Sequence, residues 1–360
     1  MLLSIRQQKM NYRHHHDAGV LTYIMRKKDR YIEIVRTSSQ PFSSMGAGGS
    51  RRIQAILAGH YEQVDISILD TIADLELLTR KKPDLVFLGL KRLPSLWGNP
   101  RESADDIWMS QYLDGKGIAY TGSAKAAVAL DFNKEGAKAC VRRAGLPTAA
   151  SFTAVPGQYQ AANDLPLALP LFVKPLDIGG GKGIGDDSVV RTFAEFQQKV
   201  ASIAAEHAST SLVERYLTGR EFSVAILEDP LRGEPLVMPV EIITKKNARG
   251  DRVLGLSVKH ENDEQVIGVT DRHIKATVCA LAMDVYNALG ARDLGRIDIR
   301  MDAAGNAYFL EANFMPAPGT RYFAGACRIN KGLDYESVLL DIVELGLSRT
   351  RTRDITRVSV

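Results

Sequence analysis

The sequence predicts an α/β protein in which an open, parallel α/β domain precedes two further units. Strands alternate with helices from Tyr31 onward, and a glycine-rich loop and a polar strand hairpin follow farther along the chain. A chain of 360 residues is also longer than one typical core, so we expect about two or three domains.

Composition and charge narrow the class of protein. Hydrophobic residues make up 45% of the chain and charged residues 24%, as in folded globular proteins. The net charge is +4, but residues 1–30 hold seven Lys or Arg against two Asp, so the rest is close to neutral. A basic body suited to nucleic acid is absent, and we expect no nucleic-acid partner.

Cysteine usage and hydropathy predict the compartment. Cys140, Cys279 and Cys327 are odd in number and widely spaced, which indicates neither a disulfide framework nor a metal knuckle. No apolar run approaches the roughly 20 residues that span a bilayer, and the N-terminal residues lack the pattern of a secretory signal. We therefore expect a cytoplasmic protein with no membrane partner.

The first α/β domain is predicted from short apolar runs separated by helical patterns. Leu75, Leu77 and Leu78 are expected to face the core. The predicted elements are a strand at 32–38, a helix at 51–61, a strand at 64–69, a helix at 71–80 and a buried strand at 84–90. This alternation implies right-handed crossovers and a parallel sheet. The loop 91–106 lies at a strand end, where it could line a substrate site or be a variable surface loop.

A single helix is predicted from Ala124 through Lys134 to Arg143, ending before Gly145 and Pro147. A buried strand then ends on Lys174, and glycines follow at 179, 180, 181, 183 and 185. Such a loop lets backbone N–H groups approach phosphate oxygens, with Lys174 and Lys182 supplying charge. The spacing is not that of a P-loop, and a glycine-rich loop alone is weak evidence.

Two carboxylates follow on the next strands. Glu214 ends an apolar strand, Leu217 to Glu221 form a link, and another strand begins at Phe222. A carboxylate, exposed backbone and a second carboxylate are what an adenine amino group and a ribose diol require. Ordinary acids at strand edges would give the same pattern.

The hairpin 295–319 carries the strongest chemical signal. With a period of two residues, Arg296 and Asp298 share one face of a strand, and Glu311 and Asn313 share a face of the return strand. Two carboxylates and an amide oxygen are hard ligands that suit Mg²⁺ or Mn²⁺. We therefore predict a metal-phosphate site beside an arginine.

The ordered set of Lys134, Lys174-Pro175, Glu214 with Glu221, Arg296-x-Asp298 and Glu311-x-Asn313 resembles the ATP-grasp enzymes, most closely the D-alanine:D-alanine ligases, over residues 31–348. The resemblance implies an α/β (α+β ATP-grasp) fold in which two ATP-grasp domains clamp ATP. The implied units are a basic extension (1–30), an N-terminal α/β domain (31–130), a central ATP-grasp subdomain (131–221), a C-terminal metal-binding domain (222–348) and a tail (349–360).

The same resemblance implies roles for individual residues. ATP phosphates would be held by Lys134, Lys174, Gly180, Gly181 and Lys182, adenine by Glu214 and the backbone at Leu217, and ribose by Glu221. Two Mg²⁺ ions, or Mn²⁺, would be held by Asp298, Glu311 and Asn313. Arg296 would stabilise the reacting carboxyl group. The final helix, 335–347, is expected to belong to the core of the C-terminal domain.

The implied reaction joins the carboxylate of one amino acid to the amine of another through an acyl phosphate, as in peptidoglycan synthesis for the cell wall. The partners are ATP and small amino acids, and a homodimer is expected because relatives form one. The segment 245–264 occupies the place of a mobile lid. In it Lys259 and His260, expected to be catalytic, stand where the family has a Lys-Tyr pair.

The substrate segments depart from the family pattern. Residues 37–49 contain no acid to receive the ammonium of the first D-alanine, and 90–106 lack the family's histidine. A ligase for other amino acids in a biosynthetic pathway therefore stays open. So does a regulatory protein that binds ATP without turnover, although the full set of metal ligands argues against it.

Overall fold

The structure is a computed structural model that describes residues 27–38, 44–94, 105–231 and 233–357. Most of the predicted basic extension lies outside these ranges. So do residues 39–43 of the first glycine-rich segment and residues 95–104 of the loop that was a candidate for substrate binding.

A three-stranded parallel sheet forms the N-terminal part. Strand β1 pairs with β2 on one side and β3 on the other, which confirms the predicted parallel arrangement. The elements are β1 (Lys28–Arg36), α1 (Ala47–Leu57), β2 (Tyr61–Ile68), α2 (Ile72–Lys81), β3 (Leu85–Leu88), β4 (Arg92–Leu93), β5 (Ile107–Trp108) and α3 (Met109–Lys116).

Two expectations about these helices are wrong. Helix α1 ends at Leu57, four residues before the predicted end, because the chain turns there and Tyr61 already begins β2. Leu77 is 55% exposed instead of facing the core. Leu75 and Leu78 form the buried stripe of α2, and Leu77 lies roughly 100° around the helix from Leu78.

The single helix predicted from Ala124 to Arg143 is broken. Helix α4 (Lys125–Val128) continues into a 3₁₀ turn, and α5 (Lys134–Arg143) starts after Asn133, whose side chain caps it by accepting a hydrogen bond from Gly136 N. The break allows Asp131 to turn toward Lys91 and the backbone of a later loop.

A four-stranded antiparallel sheet follows, with strand order β6-β9-β7-β8. Its elements are β6 (Ser151–Ala154), β7 (Leu171–Pro175), β8 (Val189–Val190), α6 (Phe193–His207) and β9 (Ser211–Arg215). The buried strand predicted to end on Lys174-Pro175 is confirmed as β7, so the glycine-rich loop leaves the end of a strand.

A five-stranded antiparallel sheet, in the order β12-β11-β10-β13-β14, carries the polar hairpin. Phe222, Ile297 and Ile299 on one face pack with helix α8, which leaves the polar side chains on the other face. The elements are β10 (Glu221–Glu228), β11 (Pro235–Ile243), α7 (Leu256–Glu261), β12 (Gln265–Gly268), α8 (Arg272–Ala288), β13 (Leu294–Met301) and β14 (Ala307–Asn313).

Helices α9 (Ala324–Lys331) and α10 (Tyr335–Arg357) complete the described chain. The predicted apolar stripe of α10, which includes Val338 and Ile342, is buried. It packs with Leu294 of β13, as predicted for a helix in the C-terminal core, and also with Ile34 of β1 and Phe87 of β3. None of the helices in the described ranges combines the length and the hydrophobicity of a membrane-spanning segment.

Candidate active site

The β13–β14 hairpin gathers its polar side chains as predicted. The antiparallel register sets Asp298 opposite Glu311 and Arg296 opposite Asn313. Arg296 Nε and Nη2 donate to the two oxygens of Asp298 at 3.0 and 2.8 Å. Ser223 Oγ, from the neighbouring β10, donates to Asp298 Oδ1 at 2.7 Å. This bidentate pairing fixes both the carboxylate and the guanidinium.

Glu311 is surrounded by positive charge. Burial would raise the pKa of its carboxyl group, but Lys134, Lys174, Lys259 and Arg296 lower that pKa to about 2. The side chain therefore stays ionised at neutral pH. A buried carboxylate held in this state is a ready ligand for a cation.

The donor set fits a divalent metal ion. Asp298, Glu311 and Asn313 offer oxygen atoms only, and both acids come from facing positions of one hairpin. Mg²⁺ and Mn²⁺ prefer such ligands and keep some positions for water and phosphate. The residues present could thus hold either ion at the end of β14.

A cavity with about 680 Å³ of empty volume lies between the four-stranded and five-stranded sheets. Of the residues predicted from sequence, it is lined by Lys174, Gly181, Glu214, Leu217, Glu221, Lys259, Asp298 and Glu311. Lys134, Gly180, Lys182, His260, Arg296 and Asn313 are not part of its wall. Most of the expected nucleotide residues are thus brought together around one space.

Apolar walls of this cavity were missed by sequence reasoning. Phe172 and Tyr216 stack at 6.3 Å between ring centroids, with 15° between their planes, and Ile184, Leu254 and Leu310 add aliphatic surface. Phe172 precedes Lys174 by two residues on β7, so the strand period that placed the lysine could also have placed the ring.

Glu214 joins two lysines beneath the cavity. Its oxygens lie 2.5 Å from Lys138 Nζ and 2.7 Å from Lys174 Nζ, and all three side chains are almost fully buried. Burial would raise the pKa of Glu214, but the two lysines lower it to about 2. Lys138 also donates to Thr148 Oγ1 at 2.8 Å. Lys138 follows Lys134 by four residues on α5, so the two lysines share one face of the helix. This spacing could have identified Lys138 as a site residue from the sequence.

Lys134 holds the start of the glycine-rich loop. Its ammonium group donates to the carbonyl oxygens of Pro175, Leu176 and Ile178 at 3.3, 3.2 and 2.6 Å. Burial lowers the pKa of Lys134 to about 8. Lys174, by contrast, has a raised pKa, because Glu214 and Glu311 outweigh the effect of its burial.

The glycine-rich loop packs backbone to backbone on the lid segment 245–264. Gly181 has φ +84°, and a β-carbon there would lie 3.1 Å from Leu256 N. A β-carbon on Gly255 would lie 2.5 Å from Ile184 O. Side chains at either position would push the two segments apart. Gly180 also has a positive φ, of +75°, and Lys182 is exposed.

Side chains also hold the lid over the cavity. Asp251 accepts two hydrogen bonds from Arg191, at 2.8 and 2.7 Å. On α7 the two predicted catalytic residues differ: Lys259 lines the cavity, whereas His260 is exposed.

Glu221 pairs with Arg300 at 3.1 Å, and burial raises the pKa of this glutamate.

The N-terminal part contributes Lys91 to the far side of the hairpin. Lys91 Nζ lies 2.6 Å from Asp131 Oδ2 and 3.4 Å from Asn313 Oδ1. Asp131 in turn accepts a hydrogen bond from the backbone amide of Phe314, just after Asn313. The sequence analysis places Lys91 in a loop and does not identify it as a site residue. Its position directly after a buried strand, like that of Lys174 at a strand end, could have identified it.

Comparison with known proteins agrees with this geometry. Residues 141–344 match the family model described as D-ala D-ala ligase C-terminus. The chain is 28% identical over 321 residues to D-alanine–D-alanine ligase of Saccharophagus degradans, covering 85% of this chain and 90% of that protein. It is 30% identical over 236 residues to that of Glaesserella parasuis, covering 65% and 74%.

Solved structures support the fold. The D-alanine–D-alanine ligase of Bacillus anthracis complexed with ATP superposes with a TM-score of 0.66 at 19% identity, covering 91% of this chain and 100% of that one. A second structure of this Bacillus anthracis ligase has the same TM-score at 20% identity, covering 90% and 99%. At these identities, the likeness establishes the ATP-grasp architecture.

Proposed function

The chain belongs to the D-alanine–D-alanine ligase family, and from this premise we propose that it is an ATP-dependent, ADP-forming ligase. It joins the carboxylate of one amino acid to the amine of another through an acyl phosphate. The observation that carries the proposal is the hairpin cluster of Arg296, Asp298, Glu311 and Asn313 at the edge of the cavity between the two sheets.

ATP would enter the cavity with its base between the apolar walls. Phe172 and Tyr216 offer ring faces for the adenine, and the backbone at Leu217 offers the hydrogen bonds. Glu214 would orient both the base and Lys174, because its carboxylate lies against that lysine. Glu221 would hold the ribose.

The phosphates would extend toward the hairpin. Lys134, Lys174 and Lys182, with the backbone of Gly180 and Gly181, would hold their charge. Lys134 would act partly through the loop, whose carbonyl groups it already binds. Two Mg²⁺ ions held by Asp298, Glu311 and Asn313 would supply neutralisation of the charge on the transferring phosphoryl group.

Arg296 would stabilise the negative charge that develops on the reacting carboxyl oxygen. Its guanidinium is fixed by Asp298, so little reorganisation is needed when that charge forms. Lys259 would close the cavity from the lid and meet the same phosphates. For His260, which is exposed on the lid, we propose an effect on whether the acceptor is an amine or a hydroxy acid, because its charge would repel or orient an incoming ammonium group.

Two candidate sets of substrates remain, namely D-alanine and other amino acids. D-alanine follows from the family, and its dipeptide would serve peptidoglycan synthesis in the cytoplasm. Other amino acids are favoured by one observation: residues 37–49, where the family places an acid for the first ammonium, contain none. A homodimer remains a proposal by analogy with relatives.

The test is phosphate release from ATP with Mg²⁺, with single D- and L-amino acids and their pairs, and with products identified by mass. Phosphate release in the presence of D-alanine, with D-alanyl-D-alanine found as the product, supports the substrate of the family. Release only with other amino acids supports the biosynthetic candidate. ATP binding without release for any pair would contradict the ligase proposal and favour a regulatory ATP-binding protein.

A further inference from the structure

Tyr322 lies between Arg296 and the end of the lid. It belongs to the loop that leads from β14 to α9, and the guanidinium carbon of Arg296 lies 5.6 Å from the centroid of its ring. The hydroxyl group of Tyr322 donates to Glu264 Oε1 at 2.7 Å. One side chain thus contacts the arginine at the reacting end and the last residue of the lid segment.

Glu264 is held firmly while the lid segment lies over the cavity. Its side chain is 1% exposed. Arg321, beside Tyr322, donates from Nη2 to the backbone oxygen of Glu264 at 2.9 Å. Glu264 Oε2 is buried, and it has no hydrogen-bond partner within the part of the chain that the structure describes. Tyr322 makes a shorter contact to this carboxylate than Arg321, whose Nη1 lies 3.4 Å from the same Oε1 atom, so losing the hydroxyl group would leave Glu264 with the weaker of these two partners.

The arginine is held from two directions. Asp298 binds its Nε and Nη2 atoms in the sheet, and the ring of Tyr322 covers it from the loop side. A cation over an aromatic face is attracted to it, and more strongly where water is excluded. Burial and the nearby Glu264 raise the pKa of Tyr322, so its hydroxyl group keeps its proton and remains a donor at neutral pH.

We propose that Tyr322 is a positioning residue that couples lid closure to the orientation of Arg296. With the lid closed, Glu264 fixes the hydroxyl group and the ring fixes the guanidinium. When the lid opens, Glu264 moves with its segment and the ring is released. Arg296 would then be correctly placed only in the closed state, in which the acyl phosphate is protected from water.

This inference rests on the proposed ligase function, and its test measures coupling. The quantity is the ratio of phosphate released to dipeptide formed, in the full-length protein with the substrate pair found by the screen. In Tyr322→Phe the ring stays over Arg296 but the link to Glu264 is lost. We expect kcat for dipeptide to fall about tenfold and the ratio to rise from about one to well above it, because acyl phosphate formed under a loose lid is hydrolysed.

Two further variants separate the contribution of the Tyr322 ring from that of its hydrogen bond to Glu264. Tyr322→Leu removes the ring as well and should lower kcat further. Glu264→Gln keeps an acceptor for the hydroxyl group and should retain a ratio near that of the unchanged protein. Tyr61 supplies the matched control, because its hydroxyl group also donates to a glutamate (Glu344, 2.8 Å) and Lys28 lies 5.7 Å from its ring centroid, outside the site. Tyr61→Phe should leave the ratio unchanged.

A second measurement does not depend on turnover. Hydrogen exchange of the 245–264 segment should be faster in Tyr322→Phe than in the unchanged protein or in Tyr61→Phe. An unchanged ratio and unchanged exchange in Tyr322→Phe would overturn the inference. Absence of product from the unchanged protein would instead count against the ligase function, and the exchange result would then decide the lid contact on its own.

Discussion

The two ends of the site that we propose for the nucleotide and for the amino acids are built differently. At the nucleotide end the charged groups project from strands and from helix α5, and several lie in ion pairs, as in the Lys138–Glu214–Lys174 triad. At the amino-acid end, Arg296 lies on a strand, but Lys91 and Tyr322 come from connecting segments. Lys91 follows β3, and residues 39–43 and 95–104 lie outside the described structure.

This difference indicates which part of the proposed function each end determines. Groups fixed on a sheet favour one geometry of phosphoryl transfer, whatever amino acid is joined. Loops accept sequence change with little effect on the fold, so substrate choice can change there. Substitutions at the nucleotide end should therefore affect every substrate, and those at the amino-acid end should discriminate between substrates.

The most severe test removes the charge of Glu311. Glu311→Gln keeps the size of the side chain but removes a carboxylate whose low pKa shows that it is held ionised. We expect kcat to fall about 10³-fold for every substrate pair, since charge stabilisation in the transition state is lost. Steady-state kinetics checks this. Asp302→Asn, on the exposed turn of the same hairpin, is the control, and a loss of less than tenfold for Glu311→Gln would contradict the metal assignment.

The triad beneath the cavity should matter first for stability. Lys138→Met leaves Glu214 buried with one lysine instead of two. We expect the free energy of unfolding to fall by about 3 kcal/mol, because a buried charge loses a partner. Urea unfolding checks this, with Lys116→Met on the exposed end of α3 expected to unfold like the unchanged protein. Equal midpoints for Lys138→Met and the unchanged protein would show that the triad is not needed.

Lys91 tests the other end. Lys91→Met removes the cation that lies 2.6 Å from Asp131 and 3.4 Å from Asn313 Oδ1. We expect KM for the amino acid to rise about tenfold, as for the loss of a hydrogen bond to a charged group, with KM for ATP unchanged. Initial rates with each substrate varied in turn distinguish the two constants. An equal rise in both would abolish the distinction between the two ends.

The mildest effect concerns pH at the nucleotide end. The pKa of Lys134 is lowered to about 8 by burial, so its positive charge is present below pH 8 and is lost as pH rises through that value. We expect kcat/KM for ATP to fall about threefold to fivefold by about pH 9. In Lys134→Arg, where the guanidinium stays charged, this fall should disappear. The same alkaline fall in both proteins would assign it to another group.

The N-terminal sheet and the polar hairpin of the site can be predicted from the sequence, because both depend on local periodicity. A period of two residues placed Arg296 with Asp298 and Glu311 with Asn313, and the hairpin turn brought the strands together. Alternation of strands and helices gave the parallel N-terminal sheet. In these cases residue type and spacing determine the structure almost alone.

The rest depends on contacts between distant parts of the chain. Lys91 meets Asn313 across 222 positions, and Tyr322 meets Glu264 across 58. A periodic pattern tells which face a side chain occupies but not what lies opposite. The same limit explains why an unbroken helix through Asn133 is a wrong prediction, because its break is stabilised in part by the bond from Phe314 N to Asp131.

Helix α10 has a consequence for how the polypeptide is made. Ile32 and Ile34 of β1 share a core with Val338 and Ile342 of α10, and Lys28 pairs with Glu344, 316 positions later, at 2.6 Å. The first strand leaves the ribosome many seconds before its covering helix exists, at about 5–20 residues per second. We therefore expect the nascent N-terminal sheet to remain a client for chaperones until translation ends. A chain released at Gly332 should bind a hydrophobic dye that the complete chain does not.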